Sequence, residues 1–350
     1  MTTDSAFFQA ADSDRAVPTS LQRHERYRVQ TRIAHDADEQ ARNLYGWRQT
    51  YDQLTSGRFT GELTGLHVDD MHVFREATSQ TLRQICEVRS DACWFGIPVR
   101  REGVTGQIDG NVIDADAFAL KPGGVEFELM TPAGYEIFGV VVSGDVLRRH
   151  AALDERAGRA LLDHGPPTGV MPIDAASKTQ LGVRLMQILG EERAALDHRA
   201  RHQLHASVLD LLLDACGGGA SSPGSERVAI SRQPRRRGIV SDARDYVLAN
   251  RDRPVSVPEL CEHLHVSRRT LQYCFEDVLG MAPASYLRVI RLNGARRDLC
   301  DASRGSSARS VQDVAAAWGF WHLSQFATDY RKLFGIRPSD TLRATRSGLS

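Results

Sequence analysis

Two sets of side chains in this sequence have types and spacing suited to chemistry. Arg268, Arg269, Gln272 and Tyr273 lie in HVSRRTLQYCFEDVLGMAPASYL, residues 265–287. Leu323, Ser324 and Thr328 lie in GFWHLSQFATDYRKLFGIRPSDTL, residues 319–342. Each set recurs at helical spacing and so occupies one helix face. A helix whose first turns carry Arg, Gln and Ser can enter a major groove and hydrogen-bond to base edges. An ordinary solvated face is the plainer account of one such helix, but two tandem copies in a basic segment favour the reading face. Arg291, Arg297, Arg331 and Lys332, with Arg296, are candidate phosphate contacts, which position a protein without specifying sequence.

Three other groups have types suited to chemistry. Trp94, Phe95, Phe127 and Tyr135 could wall an effector pocket, with Glu126 or Glu128 meeting a cation; aromatics at strand spacing are more often core. Glu126 and Glu128 also have the spacing of an acid/base pair, which strand alternation produces by default. His198, His202 and His205 share a helix face that could hold a metal; a solvated face is the blander account, and no metal site is assigned. The chain has no Gly-rich phosphate loop, no GxSxG elbow and no His-x-His set of a metal-dependent barrel, so no catalytic residue is assigned and an enzyme is not expected.

The reading faces need helices in fixed positions, and the sequence repeats the parts that would fix them. At an offset of 54, Val257 meets Val311 and Glu259 meets Asp313; at 55, Leu271 meets Phe326, Phe275 meets Tyr330, Gly280 meets Gly335 and Pro283 meets Pro338. Ser256-x-x-Glu259 and Ser310-x-x-Asp313 have the form of capping boxes. Ser267 is a good N-cap, whereas His322 stands at the matching place in the second copy. Gly280 and Gly335 fit left-handed helix ends. Between the copies, residues 283–300 read as a helix of about 17 residues, a strut of about 25 Å.

The chain has 350 residues, 41% hydrophobic, which suits two domains better than one. Residues 235–350 hold 19 Arg/Lys against 12 Asp/Glu, a net of +7, and residues 1–234 a net of −7. One end is built to meet a polyanion. The stretch GGGASSPGSERVAISRQPRRRG, residues 217–238, reads as a linker. The boundaries expected are a polar segment over 1–34, an effector-sensing and dimerisation domain over 35–216, the linker, and a DNA-binding domain over 239–346. Six scattered cysteines without a CxxC pair indicate reduced thiols, and no signal peptide or membrane span is read, so a cytoplasmic protein is expected.

Ahead of the linker the period is that of strands. Val125, Phe127 and Leu129 alternate with Glu126 and Glu128, and IFGVVVS, WFGIPV and GQIDGNVI read as further strands. The fold class expected is α+β: a strand-rich sensor, cupin-like barrel or sandwich, with helices, followed by an all-α double helix-turn-helix domain. From 172 to 216 the period becomes helical, through Leu181, Leu185, Ile188, Leu204, Val208, Leu211 and Leu212. Those helices either pack on the barrel or pair two protomers in a homodimer.

VSRRTLQ and residues 318–342 resemble the DNA-binding domain of the AraC/XylS family of bacterial transcription regulators over about 100 residues. The resemblance implies seven helices, two of them recognition helices, and activation more often than repression. By position, Arg268, Arg269, Gln272 and Tyr273 match the family's base-reading face in the first repeat; Leu323, Ser324 and Thr328 match it in the second. WRQTYDQLTSGRFTGEL, VFREAT, WFGIPV and PGGVEFELMTPAGYEIFGVVVS resemble the branch of that family that regulates ethanolamine utilisation. That implies activation when ethanolamine and adenosylcobalamin are both present, although no DxHxxG cobalamin signature places the latter. No cofactor is otherwise required. The partners implied are double-stranded promoter DNA, RNA polymerase and the effector, with no membrane. The alternatives are the same type of regulator sensing another small amine or metabolite, an enzyme with an appended DNA-binding module, and a helical adaptor with no DNA role.

Overall fold

The structure is a computed structural model that describes residues 28–101, 103–152, 169–190, 198–218, 233–304 and 309–347. Most of the expected polar segment 1–34 and linker 217–238 lie outside the described residues. Within them, the first strand already begins at Gln30 and a helix opens at Gln233.

The chain runs β1 (Gln30–Ala34), α1 (Ala37–Asn43), β2 (Trp47–Gln53), β3 (Gly61–Val68), β4 (Met71–Thr78), β5 (Leu82–Val88), β6 (Ala92–Pro98), β7 (Gly106–Ile108), β8 (Asn111–Ile113), β9 (Ala117–Pro122), β10 (Phe127–Thr131) and β11 (Tyr135–Ser143). It continues through α2 (Gly144–Ala151), β12 (Gly169–Pro172), α3 (Ala175–Gly190) and α4 (His198–Gly218). The carboxyl-terminal part is α5 (Gln233–Ala249), α6 (Val257–His263), α7 (Arg268–Leu279), α8 (Pro283–Arg304), α9 (Val311–Ala317), α10 (Leu323–Phe334) and α11 (Pro338–Ser347).

The strands form two antiparallel sheets, one ordered β1-β3-β4-β11-β6-β9-β12 and the other β2-β5-β10-β7-β8. They stay separate, so the expected closed barrel is not found; of the two architectures expected, the sandwich is the one present. Strand alternation explains the layers. Leu63, Phe74, Trp94 and Ile137 of the larger sheet meet Tyr51, Leu82, Phe127 and Leu129 of the smaller one in a shared core. The other face of the larger sheet, through Val73, Phe95, Phe138 and Val140, packs on Leu181, Leu185 and Ile188 of α3 and Leu204, Val208 and Leu212 of α4. These helices therefore cover the sheet within one chain.

The outer face of the smaller sheet meets the carboxyl-terminal helices. Leu54, just after β2, is buried in one core with Val240, Val247, Leu271, Phe275 and Tyr286, and Met130 of β10 packs against it. Burying such a side chain contributes roughly 1.5–3 kcal/mol, so the two parts share a real core contact. Helix α8 divides its own faces between two cores. Tyr286, Leu287 and Ile290 enter the first, and Leu292, Ala295 and Leu299 enter a second with Val314, Trp318, Phe326 and Tyr330. At Gly294 the indole of Trp318 comes so close that a Cβ would lie 2.0 Å from it. Helix α8 has 22 residues rather than 17, a length of about 33 Å. All six cysteines are free thiols, and no helix among the described residues is long and apolar enough to cross a membrane.

Candidate nucleic-acid interface

Each repeat is a short helix, a tight turn and a longer helix. Both capping boxes form: the Ser256 and Ser310 side chains accept from Glu259 and Asp313 backbone N–H groups, and each carboxylate accepts from the serine N–H in return. Hydrogen bonds from Arg253 and then Tyr246 hold the Glu259 carboxyl down to about 2. The two turns share a backbone form. His265 sits at φ 51° and Gly319 at φ 69°, and Val266 N–H donates to Cys261 O at 3.0 Å as Phe320 N–H donates to Ala315 O at 2.9 Å. Helices α7 and α10 both end at left-handed glycines, Gly280 and Gly335.

The exposed face of α7 is polar and tied together. Arg269 Nη2 donates to Tyr273 Oη at 3.0 Å and its guanidinium lies 5.3 Å from the ring centroid. Gln272 Nε2 donates to Glu276 Oε1 at 2.6 Å. Arg268, Arg269 and Tyr273 are exposed and Gln272 is half-buried. Ser267 caps this helix by accepting from Thr270 N–H. On α10 the exposed face carries Leu323, Ser324 and Thr328, whose Oγ1 donates to Ser324 O at 2.9 Å. His322 at its start makes no side-chain cap. A groove of about 660 Å³ runs beside α10, lined by Leu323, Thr328, Arg331, Lys332 and Arg337. Arg337 was missed in the sequence because it follows the helix, outside any periodic face. Trp321, 67% exposed just before α10, was also missed; aromatic residues read first as core.

The candidate phosphate contacts separate into two groups. Arg331 and Lys332 are exposed. Arg297 is enclosed at the junction with the sensor: its Nε donates to Asp38 Oδ1 at 2.9 Å and its Nη2 to Tyr51 O at 3.1 Å and to Asp52. Burial lowers its pKa, but Asp38 and Asp52 outweigh burial and the net shift is upward. In this arrangement Arg297 is not offered to a phosphate. Arg296 pairs with Asp36 and lies over Phe334. Arg291 donates to Leu287 O at 3.2 Å and stacks its guanidinium on Phe320. The sequence offers Arg296 and Arg297 to phosphates because nothing local reveals that acidic side chains 240 or more positions away will cover them.

The aromatic and acidic effector candidates also divide. Trp94, Phe127 and Tyr135 lie between the sheets, with Trp94 and Phe127 stacked 5.2 Å apart. Phe95 faces the opposite core, as its odd step from Trp94 requires. Glu126 and Glu128 lie on the outer face, beside the carboxyl-terminal helices. The six therefore do not form one pocket. Glu76 is a buried carboxyl that accepts from Gln40 and Tyr51 and is pushed by burial up to about 7. Of the three helix histidines, His198 and His202 lie with ring nitrogens 3.2 Å apart and His205 pairs with Asp70.

Comparison with known proteins bears on the carboxyl-terminal part. The family described as "Helix-turn-helix domain" matches residues 260–344. The "Probable thc operon regulatory protein" of Rhodococcus erythropolis is 40% identical over 106 residues, 30% of this chain and 31% of that protein. The "XylDLEGF operon transcriptional activator" of Pseudomonas putida is 39% identical over 98 residues, 28% of this chain and 30% of that protein. The chain thus matches about a third of the length of these relatives. A solved AraC-type DNA-binding domain protein from Chromobacterium violaceum is similar over 31% of this chain and 93% of its own, at 29% identity and a TM-score of 0.29.

Proposed function

We propose, from the premise that the carboxyl-terminal region carries an AraC-type helix-turn-helix domain, that this protein is a sequence-specific DNA-binding transcription regulator, an activator in sign, with a strand-rich effector-sensing domain. The observation that carries the reading is the pair of tandem helix-turn-helix units, each presenting an exposed face on its longer helix. Arg268, Arg269, Gln272 and Tyr273 read bases in one groove segment; Leu323, Ser324 and Thr328 read them in the next. Arg331, Lys332 and Arg337 hold phosphates. The partners are promoter DNA, RNA polymerase and a small effector, in the cytoplasm, and the exposed Val183 and Met186 on α3 leave a face for a second copy.

Binding of the full chain to its own upstream region, titrated at several salt concentrations, tests this. Log affinity should fall linearly with log salt, with Arg331→Ala and Lys332→Ala each reducing the slope by about 1. Binding that is weak and independent of salt would contradict it. The finer reading, activation by ethanolamine together with adenosylcobalamin, rests on the amino-terminal resemblance. A promoter–reporter assay with each compound singly and both together tests it; induction absent with both present, while DNA binding persists, removes the effector and leaves the regulator.

A further inference from the structure

The crevice between the sensor and the DNA-binding helices brings two arginines of different parts of the chain onto one carboxylate. It encloses about 250 Å³ and is lined by Arg83, Glu126 and Glu128 from the smaller sheet and by Arg237, Ser241 and Val278 from α5 and α7. Arg83 is 3% exposed. Both oxygens of Glu128 are taken: Oε2 by Arg83 and Oε1 by Arg237 Nη2 at 3.0 Å. One carboxylate thus serves two guanidiniums. Arg83 Nε, Arg83 Nη1 and Arg237 Nε have no hydrogen-bond partner, and neither have the Tyr286 hydroxyl and Arg244 Nε among the buried atoms of this junction. Tyr286 is one of the groups acting on Arg83. Buried donors without acceptors are costly and uncommon in folded proteins. The nearby Asp109 does not answer them, because its carboxylate accepts from Glu128 N–H at 2.9 Å and pairs with Lys121.

Of these side chains, Arg83 and Arg237 line the crevice, and an oxyanion would complete that pair, since arginine forks match carboxylate and phosphate geometry. A bare anion would also face Glu126, which is exposed at the same crevice and makes no ion pair among those described. A ligand with an ammonium group beside its oxyanion meets both walls. Ile85, Phe127 and Val240 supply a short apolar lining, and the volume sits just below the usual range of roughly 300–1,000 Å³ for larger ligands. We propose that this interdomain crevice binds a small zwitterion, its carboxylate or phosphate on Arg83 and Arg237 and its ammonium toward Glu126. The sensor contributes Arg83 and Glu126, and the DNA-binding part contributes Arg237. Occupancy therefore fastens the two parts in their present arrangement, and any DNA complex that needs a different arrangement is weakened by the ligand to the same degree. That coupling rests on the regulator reading; the binding does not.

The experiment is calorimetry and thermal unfolding of the full chain with serine and phosphoethanolamine as zwitterionic probes, beside ethanolamine, acetate and inorganic phosphate. At least one zwitterion should bind and raise the Tm, and the cation-only and anion-only probes should bind at least about tenfold more weakly, given what each charged contact contributes. Arg237→Gln and Glu126→Gln, both on partly or fully exposed side chains, should fold and each weaken the zwitterion at least about tenfold. Glu126→Gln should also erase the preference over acetate or phosphate. Serine binding without phosphoethanolamine assigns the oxyanion as a carboxylate, and the reverse assigns a phosphate. Neither zwitterion binding at about 10 mM, or binding untouched by both substitutions, overturns the proposal. DNA affinity measured on the same preparations separates the readings: a chain that binds DNA and ignores both zwitterions overturns this inference alone.

Discussion

The two helix-turn-helix units are copies in backbone and opposites in chemistry. The first caps its long helix with its own Ser267; Arg269 and Tyr273 brace each other, its exposed face is built of hydrogen-bonding groups, and the sensor meets it through the apolar side chains Leu54 and Met130. The second lacks a side-chain cap at His322 and opens its face with Leu323. The sensor meets it through hydrogen bonds. The carbonyl of Leu333, in the last turn of α10, accepts from Gln53 Nε2 and from Gly57 N–H, each at 2.9 Å. Helix ends leave such carbonyls without partners inside the helix, and here the sensor supplies the donors. Beside them, Asn293 exchanges two hydrogen bonds with the Gln53 backbone, at 2.9 and 3.0 Å. The two units thus share a geometry, while the sensor packs on the first through apolar side chains and hydrogen-bonds to the second. The first copy suits polar base reading; the second is the copy whose long-helix end takes hydrogen bonds from the sensor.

The largest expected effect tests that fastening. Arg297→Met leaves Asp38 and Asp52 buried without their partner and should destabilise the full chain by about 3–5 kcal/mol, read by denaturant unfolding. Arg331→Met should change stability by less than about 0.5 kcal/mol. Equal effects would erase the distinction between a fastening arginine and an exposed one.

Next comes the shared turn. Gly319→Ala forces a side chain into a left-handed position, with its Cβ 2.8 Å from the Arg253 backbone, and should cost about 1–3 kcal/mol. His265→Gly, at the equivalent position of the first copy, should be neutral or stabilising by a few tenths of a kcal/mol. Comparable losses at both would mean the two turns are not equivalent.

These pairs show what the sequence made legible. Ser256, Glu259, Ser310, Asp313, Gly280 and Gly335 act within four or five positions of themselves, so spacing alone located the caps and turns. The strand alternation of 125–129 was legible for the same reason. The sheet count, the open edge between sheets and the burial of Arg296 and Arg297 depend on partners far away in the chain, whereas the split of Trp94 from Phe95 follows from strand alternation alone. A charge at a helical position looks solvated until the domain that covers it is placed. The crevice donors Arg83 and Arg237 are 154 positions apart and carry no shared motif.

Smaller effects sharpen the contrast in reading chemistry. Arg269→Ala should weaken binding to a preferred site by about 1–3 kcal/mol while sparing unrelated DNA, by fluorescence anisotropy. Leu323→Ala should cost less than about 1 kcal/mol in the same assay, because it forfeits an apolar contact and no bidentate pair. The smallest effect is a gain. His322→Ser supplies the missing cap and should stabilise α10 by about 0.5–1 kcal/mol, seen as slower hydrogen exchange in its first turn.

Selection of duplexes from a random pool by the full chain tests the central claim most directly. The account predicts two preferred blocks centred about one helical turn, roughly 10 base pairs, apart, with Arg269→Ala erasing preference in one block and leaving the other. A single block, or a loss with Arg269→Ala that is uniform across all sequences, would contradict it.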